Sequence, residues 1–456
     1  MVIGEQSHLP PGPKSMFFGL DLYWDSQVDS LSFMKRMVHQ YGDIVHFKIG
    51  RKPVFLFNDP EDIKNVLTSH YANFLKGRGI ARGDNLFGEG LVTSEGDFHR
   101  HQRLLTQPGF RSRRIAGYGE TIAKVAADSS ECWRSGKNLA VLKEMREIAL
   151  SIAHQTLFGS ISDAENDRFI QALREGMTGF RSFKPAVVHA IDSLAFLRHL
   201  RLRRAAFVIQ SIVSRIIAER RRNGEVRDDL LSLLLSRAGA EDGRLTSDRQ
   251  ILDESMTLLV ASFEAVATAL TWTWYLLGLH PEIQDMLHRE VDEVLGGRLP
   301  TSDDLTALVY TRRVFEEAMR LYPPVPRLVR TAARDCQVGG YTVPAGSLVI
   351  VSQYVTHRDA RSFPEPDRFD PDRWTPEAKR VRHPYSYFPF GGGPRRCIGE
   401  AFAYMEGVIV LATLASRWKL GLTSHAPVPL SVTHFIHPKG DLAMIPERRS
   451  AQTPIS

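Results

Sequence analysis

Residues 390–399 read Phe390-Gly391-Gly392-Gly393-Pro394-Arg395-Arg396-Cys397-Ile398-Gly399, directly ahead of an apolar, helix-periodic run over residues 400–418. The stretch sets one thiol between a glycine-rich loop and a helix N-terminus. Free backbone N–H groups and the positive end of the helix dipole meet a thiol there, and Arg395 and Arg396 add charge, so the thiolate is favoured over the thiol. Glycines at 391–393 let the backbone approach a flat partner closely, and Phe390, seven residues ahead of the sulfur, is placed to shield it.

Two plainer readings compete. A buried structural cysteine needs no such cluster of glycine and arginine. A phosphate-binding loop needs the G-x-G-x-x-G or Walker spacing, and neither is present. A thiolate in this setting is the kind of ligand that pushes electron density onto haem iron. The remaining cysteines, Cys132 and Cys336, are distant, and three thiols at long spacings exclude a secreted disulfide framework and suit a reducing cytosol.

Outward from the loop, the chain has 456 residues, with 58 Lys and Arg against 52 Asp and Glu, a net charge of +6. With 43% apolar and 24% charged residues it is neither a disordered tail nor a collagen-like chain. Helical periodicity dominates residues 98–322, with helices expected over 98–106, 114–133, 143–158, 164–183, 203–222, 228–235, 248–279, 281–295 and 311–321. Strand-like runs at 44–49 and 53–57, a hairpin over 338–351 turning at Pro344-Ala345-Gly346, and a proline-punctuated meander over 364–374 make a smaller β portion. With no linker or compositional break, residues 1–456 are expected to form one large domain, mostly α. Its β-rich parts lie near 40–60 and 325–375, and its helix-rich parts at 98–322 and 398–418.

Residues 256–279 are long and apolar enough to span a bilayer, but they contain Glu264 and are bracketed by Asp253, Glu254 and Pro281, which marks a buried helix. Only eight residues precede the turn-rich Leu9-Pro10-Pro11-Gly12-Pro13, so no membrane anchor is expected and a cytoplasmic location is. Basic residues are dispersed without aromatic interleaving, which argues against nucleic acid and for an acidic protein partner. The helix over 248–279 is about 48 Å long at 1.5 Å per residue. On it Ala261, Ala265 and Thr268 share a face with Glu264; taken alone, this is also the pattern of a helix-packing seam.

Together these residues resemble the cytochrome P-450 haem-thiolate monooxygenases. The signature F-x-x-G-x-R-x-C-x-G is filled by Phe390, Gly393, Arg395, Cys397 and Gly399. Glu317-Ala318-Met319-Arg320 resembles the family's E-x-x-R helix element, and Pro371-Asp372-Arg373-Trp374 its meander, so Glu317, Arg320 and Arg373 are implied to form a charge network. His99-Arg100-His101-Gln102-Arg103 is similar to the helix facing the haem propionates, which implies propionate contacts for His99 and Arg103, with Arg330 and Arg395 as further ligands. The thiolate push is a general property of this class and is not read from these residues. The resemblance implies a triangular, mostly α prism holding one haem b between the long helix, at Ala261, and Cys397, the metal ligand.

The chain departs from the family's A-G-x-[DE]-T-[TS] at Ala261-Ser262-Phe263-Glu264-Ala265-Val266: the acid stays and the alcohol becomes alanine. The resemblance makes Glu264 the proton-relay acid. Without the hydroxyl, a substrate oxygen or an ordered water is expected to replace it, with Ser262 and Thr268 as weaker stand-ins. Phe87, Phe180, Phe183, Phe263, Val325, Leu328 and Phe435, beside His434, are expected pocket walls, favouring a terpenoid, polyketide or fatty-acid-like substrate. No flavin or nicotinamide fingerprint appears, so electrons are expected from a ferredoxin or flavodoxin with its reductase, steered by Arg100, Arg113, Arg395 and Arg396. The expected reaction inserts one atom of dioxygen into a C–H or C=C bond. The alternatives are peroxide-driven, isomerising or coupling chemistry, and a non-catalytic haem sensor.

Overall fold

A computed structural model describes residues 9–14, 19–76, 88–158, 168, 171–172, 193–224, 226–227, 229–236 and 247–449. The chain clusters into two compact units, residues 1–77, 316–397 and 430–437 in one, and 78–315, 398–429 and 438–456 in the other. Strands are numbered β1 Ile44–Ile49, β2 Lys52–Phe57, β3 Phe74–Lys76, β4 Leu139–Ala140, β5 Leu328–Ala332, β6 Cys336–Val338, β7 Tyr341–Val343, β8 Leu348–Val351, β9 Trp418–Leu422, β10 Leu430–Val432, β11 Ile436–Pro438 and β12 Ala443–Arg448.

The first unit is built on a five-stranded sheet in the order β1-β2-β8-β5-β3. β1 and β2 pair antiparallel with Ile44 opposite Phe57, whereas β2 and β8 run parallel with Val54 opposite Leu348. Alternation along these strands sends Phe55, Phe57, Val349 and Val351 into one core with Ile63 and Phe388. Phe388 belongs to the loop ahead of Cys397, so sheet packing fixes where that loop starts. The helix Pro60–Lys64 begins at Asp59-Pro60-Glu61, where the Asp59 carboxylate accepts from Glu61 N at 2.9 Å.

The second unit centres on the helix Asp248–Leu279, capped by Ser247, which accepts from Gln250 N at 3.2 Å. The helix Val141–Ala153 lies along it, and Glu400–Arg417 packs on both it and Gly119–Ser130. Gly407 admits the Phe315 ring, since a Cβ there lies 2.3 Å from Phe315 Cζ. The most apolar 18-residue window of Asp248–Leu279 is 83% buried, as a core helix requires.

Several boundaries differ from the sequence reading. The run expected over 114–133 is two helices, Ser112–Ala116 and Gly119–Ser130, broken at Gly117 and Tyr118. The helix expected over 143–158 ends in a wide π turn, His154–Phe158. Ser193–Asn223 starts ten residues earlier than expected, and the helix over 164–183 falls largely outside the described residues. The hairpin turn sits at Gly339-Gly340, not at Pro344-Ala345-Gly346. Both glycines have positive φ, 58° and 80°, as a two-residue hairpin loop demands, and the proline turn instead hands the chain on to β8. The last helix stops at Arg417 because Trp418 turns extended and pairs with Arg448 in β12.

Candidate functional site

In the first unit the cysteine loop is shaped by its own backbone. Gly391 N donates to Phe388 O at 2.9 Å, Arg396 N to Gly393 O at 3.0 Å, and Cys397 N to Phe390 O at 2.9 Å. Gly391 and Gly393 have φ of 71° and 63°. A Cβ on Gly393 falls 2.0 Å from Leu67 O, so this position requires glycine twice over, by dihedral and by space. Cys397 is exposed, three residues ahead of the helix Glu400–Arg417, with Gly399 at its N-cap position. Leu328 of β5 lies beside the loop, its Cδ1 3.5 Å from a Cβ placed on Gly391.

Behind the loop, Glu317, Arg320 and Arg373 come together. Arg320 is fully buried and uses all five N–H donors. Two go bidentate to Glu317 at 2.8 Å, and three go to the carbonyls of His357 at 2.9 Å, Pro366 at 2.6 Å and Arg368 at 2.9 Å. Arg373 Nε stands 3.4 Å from Glu317 Oε1 as an ion pair. Two further donors, not singled out in the sequence, complete Glu317: Trp374 Nε1 at 2.9 Å and Asp370 N at 3.0 Å. His357 was also missed. Its carbonyl takes Arg320, and its Nε2 accepts from Phe388 N at 2.9 Å, so one buried imidazole joins the charge network to the cysteine loop. Complete burial holds its pKa well below the usual histidine value, aided by Arg320 and Arg358, and the neutral ring serves as an acceptor. A lone histidine after a short helical turn carries no sequence signal for this role.

Arg330 on β5 is buried, and among the described residues its guanidinium makes one hydrogen bond, to the adjacent Val329 carbonyl at 3.0 Å. Desolvation brings its pKa down to about 10. A buried cation short of acceptors and a thiol presented by a glycine loop are what a haem carboxylate and iron require, so the residues fit that cofactor.

In the second unit, the long helix is buried from Asp253 to Leu277 except at three positions: Ala261, exposed, with Ser262 and Ala265, half-buried. This accessible strip is the groove the small residues leave. Ser262 Oγ donates its proton to Leu259 O at 2.8 Å and Thr268 is fully buried, so the Ser262 proton is committed to the helix backbone and the Thr268 hydroxyl lies off the strip. Phe263, expected as a pocket wall, is buried, as is Glu264. Arg146, from Val141–Ala153, reaches the Glu264 carboxylate with Nε 3.1 Å from each oxygen and Nη2 closing on Oε1. Burial raises the Glu264 pKa and the guanidinium opposes that rise. The two residues are 118 apart in sequence, and nothing in the amphipathic pattern of 141–153 marks Arg146. His99 is buried and Arg103 half-buried on Gly96–Thr106. In the first unit Arg395 and Phe435 are half-buried, as is Val325. Phe87, Phe180 and Phe183 lie outside the described residues.

Comparison with known proteins places this geometry. The family model described as Cytochrome P450 matches residues 10–446. Cyclooctatin synthase of Streptomyces melanosporofaciens is 38% identical over 424 residues, 90% of this chain and 89% of that protein. Cyclooctat-9-en-7-ol 5-monooxygenase of the same organism is 36% identical over 390 residues, 85% and 84% of the two chains. Among solved structures, the cytochrome P450DA heme domain superposes with a TM-score of 0.88 at 26% identity, covering 98% of this chain and 99% of that one. The chain belongs to the cytochrome P450 family, and it is a haem-thiolate monooxygenase with one haem b.

Proposed function

We propose that this enzyme oxygenates a cyclic terpenoid, with Cys397 as the iron ligand and residues 1–456 acting as one catalytic domain. The single observation that carries the reading is the cysteine loop, whose glycine dihedrals, Gly393–Leu67 contact and His357 tether present one thiol ahead of a helix. Two of the relatives bear names from one terpenoid series, cyclooctatin and cyclooctat-9-en-7-ol, and the second is by name an oxygenase of an alcohol.

When bound, the haem supplies activation of dioxygen, with the thiolate donating electron density to the iron. Arg330 and Arg395 would hold its carboxylates, a role the family resemblance also implies for His99 and Arg103, and Phe390 would shield the sulfur. The strip at Ala261 and Ala265 admits a flat or bulky apolar body without a side chain in the way. Glu264 carries protons from the protein interior, held in place by Arg146. Because position 265 offers no hydroxyl, an oxygen on the substrate, or a water fixed by Glu264, orients the last proton. Electrons come from a ferredoxin or flavodoxin with its reductase, attracted by the exposed Arg100, Arg113 and Arg396, and the enzyme works in the cytoplasm.

The test combines the carbon monoxide spectrum of the reduced protein with isotope-labelled dioxygen. Wild type is expected to show the thiolate-ligand band and to place one labelled atom in product, and Cys397→Ala to lose both; full turnover by Cys397→Ala sinks the reading. Ala265 favours one alternative, peroxide-driven oxidation, for which the label enters product from peroxide and not from dioxygen.

A further inference from the structure

Arg327 lies between the helix Val309–Leu321 and β5, with half-buried Val325 and Leu328 on either side of it in the chain. Its neighbour Pro326 is clamped, the carbonyl accepting from Tyr354 N at 3.1 Å and Ser352 Oγ at 3.0 Å. Pro324 O accepts from Ile436 N at 3.1 Å, which brings the turn between β10 and β11, with His434 at its tip, against the same segment. The backbone around Arg327 is therefore fixed on both sides.

Among the described residues, the guanidinium makes one hydrogen bond, Nη1 to Ser30 Oγ at 3.0 Å, and no ion pair. Four of its five N–H donors have no acceptor there. Arg327 is only half-buried and His434 is exposed by area, yet loss of hydration is the main influence on both pKa values, lowering each. Groups that stay accessible yet lose most of their hydration to surrounding protein line a concave space, not open water. The Arg327 charge further disfavours protonation of His434, so the imidazole is neutral at neutral pH and the guanidinium is the charge of the pair. A poorly hydrated cation whose one partner among the described residues is a hydroxyl is costly, and an acceptor oxygen relieves that cost.

We propose that Arg327 is a substrate-binding residue that anchors an acceptor oxygen, hydroxyl, carbonyl or carboxylate, on an otherwise apolar substrate, so that the enzyme acts on an already oxygenated terpenoid. This rests on the oxygenase reading above and narrows its substrate class. It also connects to Ala265, since a substrate held by its oxygen arrives with a hydrogen-bonding group of its own.

The test is calorimetric binding of two probe series to the purified holoenzyme: abietadiene, abietadienol and abietic acid, then farnesene, farnesol and farnesoic acid. Within each series only one carbon changes oxidation state. In at least one series wild type is expected to bind the alcohol and acid tenfold or more tighter than the hydrocarbon. Arg327→Met is expected to bring the three within threefold, and Arg327→Lys to keep a preference for the acid. Unchanged haem content and an unchanged reduced carbon monoxide spectrum in both variants confirm folding. Equal affinity for the three members of both series in wild type, no binding of any probe, or an unchanged preference in Arg327→Met overturns the proposal. The spectrum judges the oxygenase reading separately, because calorimetry reports Arg327 whether or not the thiolate band forms.

Discussion

Half-buried Arg146 and buried Glu264 form a bidentate pair on facing helices, and the guanidinium opposes the rise that burial imposes on the Glu264 pKa. Losing the guanidinium leaves a carboxylate with little solvent, which is destabilising by about 3 kcal/mol or is avoided by protonation. Glu264→Gln is expected to lower turnover by roughly 10- to 100-fold and to release peroxide, in line with loss of a general acid. Arg146→Met is expected to lower product formed per reductant consumed and to enlarge the solvent isotope effect. In the double variant the effects are expected to be strongly non-additive, because both residues act through one pair. Turnover, peroxide yield and the isotope effect check this together, and additive losses would show the two residues acting independently.

At the scale of elements, the cysteine loop is held from behind. Arg320 takes the carbonyl of His357, whose ring takes the amide of Phe388, and Phe388 is buried in the sheet core. Tyr387 and Phe388 flank the imidazole at 4.9 and 5.3 Å between ring centres. His357→Phe keeps the aromatic volume and strands one buried amide, an expected loss of about 1–3 kcal/mol. Glu317→Gln leaves Arg320 without its counter-charge, an expected loss of about 3–5 kcal/mol. Denaturant midpoints and the rate of haem transfer to apomyoglobin should rank Glu317→Gln as worst, His357→Phe between, and wild type as slowest to lose haem. Equal haem transfer rates in all three would show that the loop does not depend on this tether.

For the molecule as a whole, buried neutral histidines set the acid limit of stability. His288 is buried, and its pKa is pushed down to about 4 by burial and by Arg449 and Lys419; His357 moves the same way. A histidine unfolded titrates near 6.5, so the unfolded chain takes up protons that the folded chain refuses as pH falls. The stabilisation is therefore intact above about pH 6.5 and is lost progressively down to about pH 4. For His288 alone the loss between pH 7 and pH 5 is about 2 kcal/mol. Denaturant unfolding at the two pH values should show His288→Leu losing less stability on acidification than wild type by about that amount; parallel losses would contradict the assignment.

The sequence by itself determined the family, the mostly α architecture and the long helix Asp248–Leu279, because the signature from Phe390 to Gly399 is contiguous and helical periodicity is a local property. It also singled out Glu317, Arg320 and Arg373, since their motifs are short. Only the tertiary structure decided which groups outside those motifs meet. Arg146 finds Glu264 across 118 residues, His357 finds Phe388 across 31, and Arg327 is left with Ser30 across 297. The hairpin moved for the same reason in miniature, as positive φ at Gly339 and Gly340 outweighed the more conspicuous proline turn. Which side chain meets which depends on packing of distant segments, and no spacing along the chain encodes it.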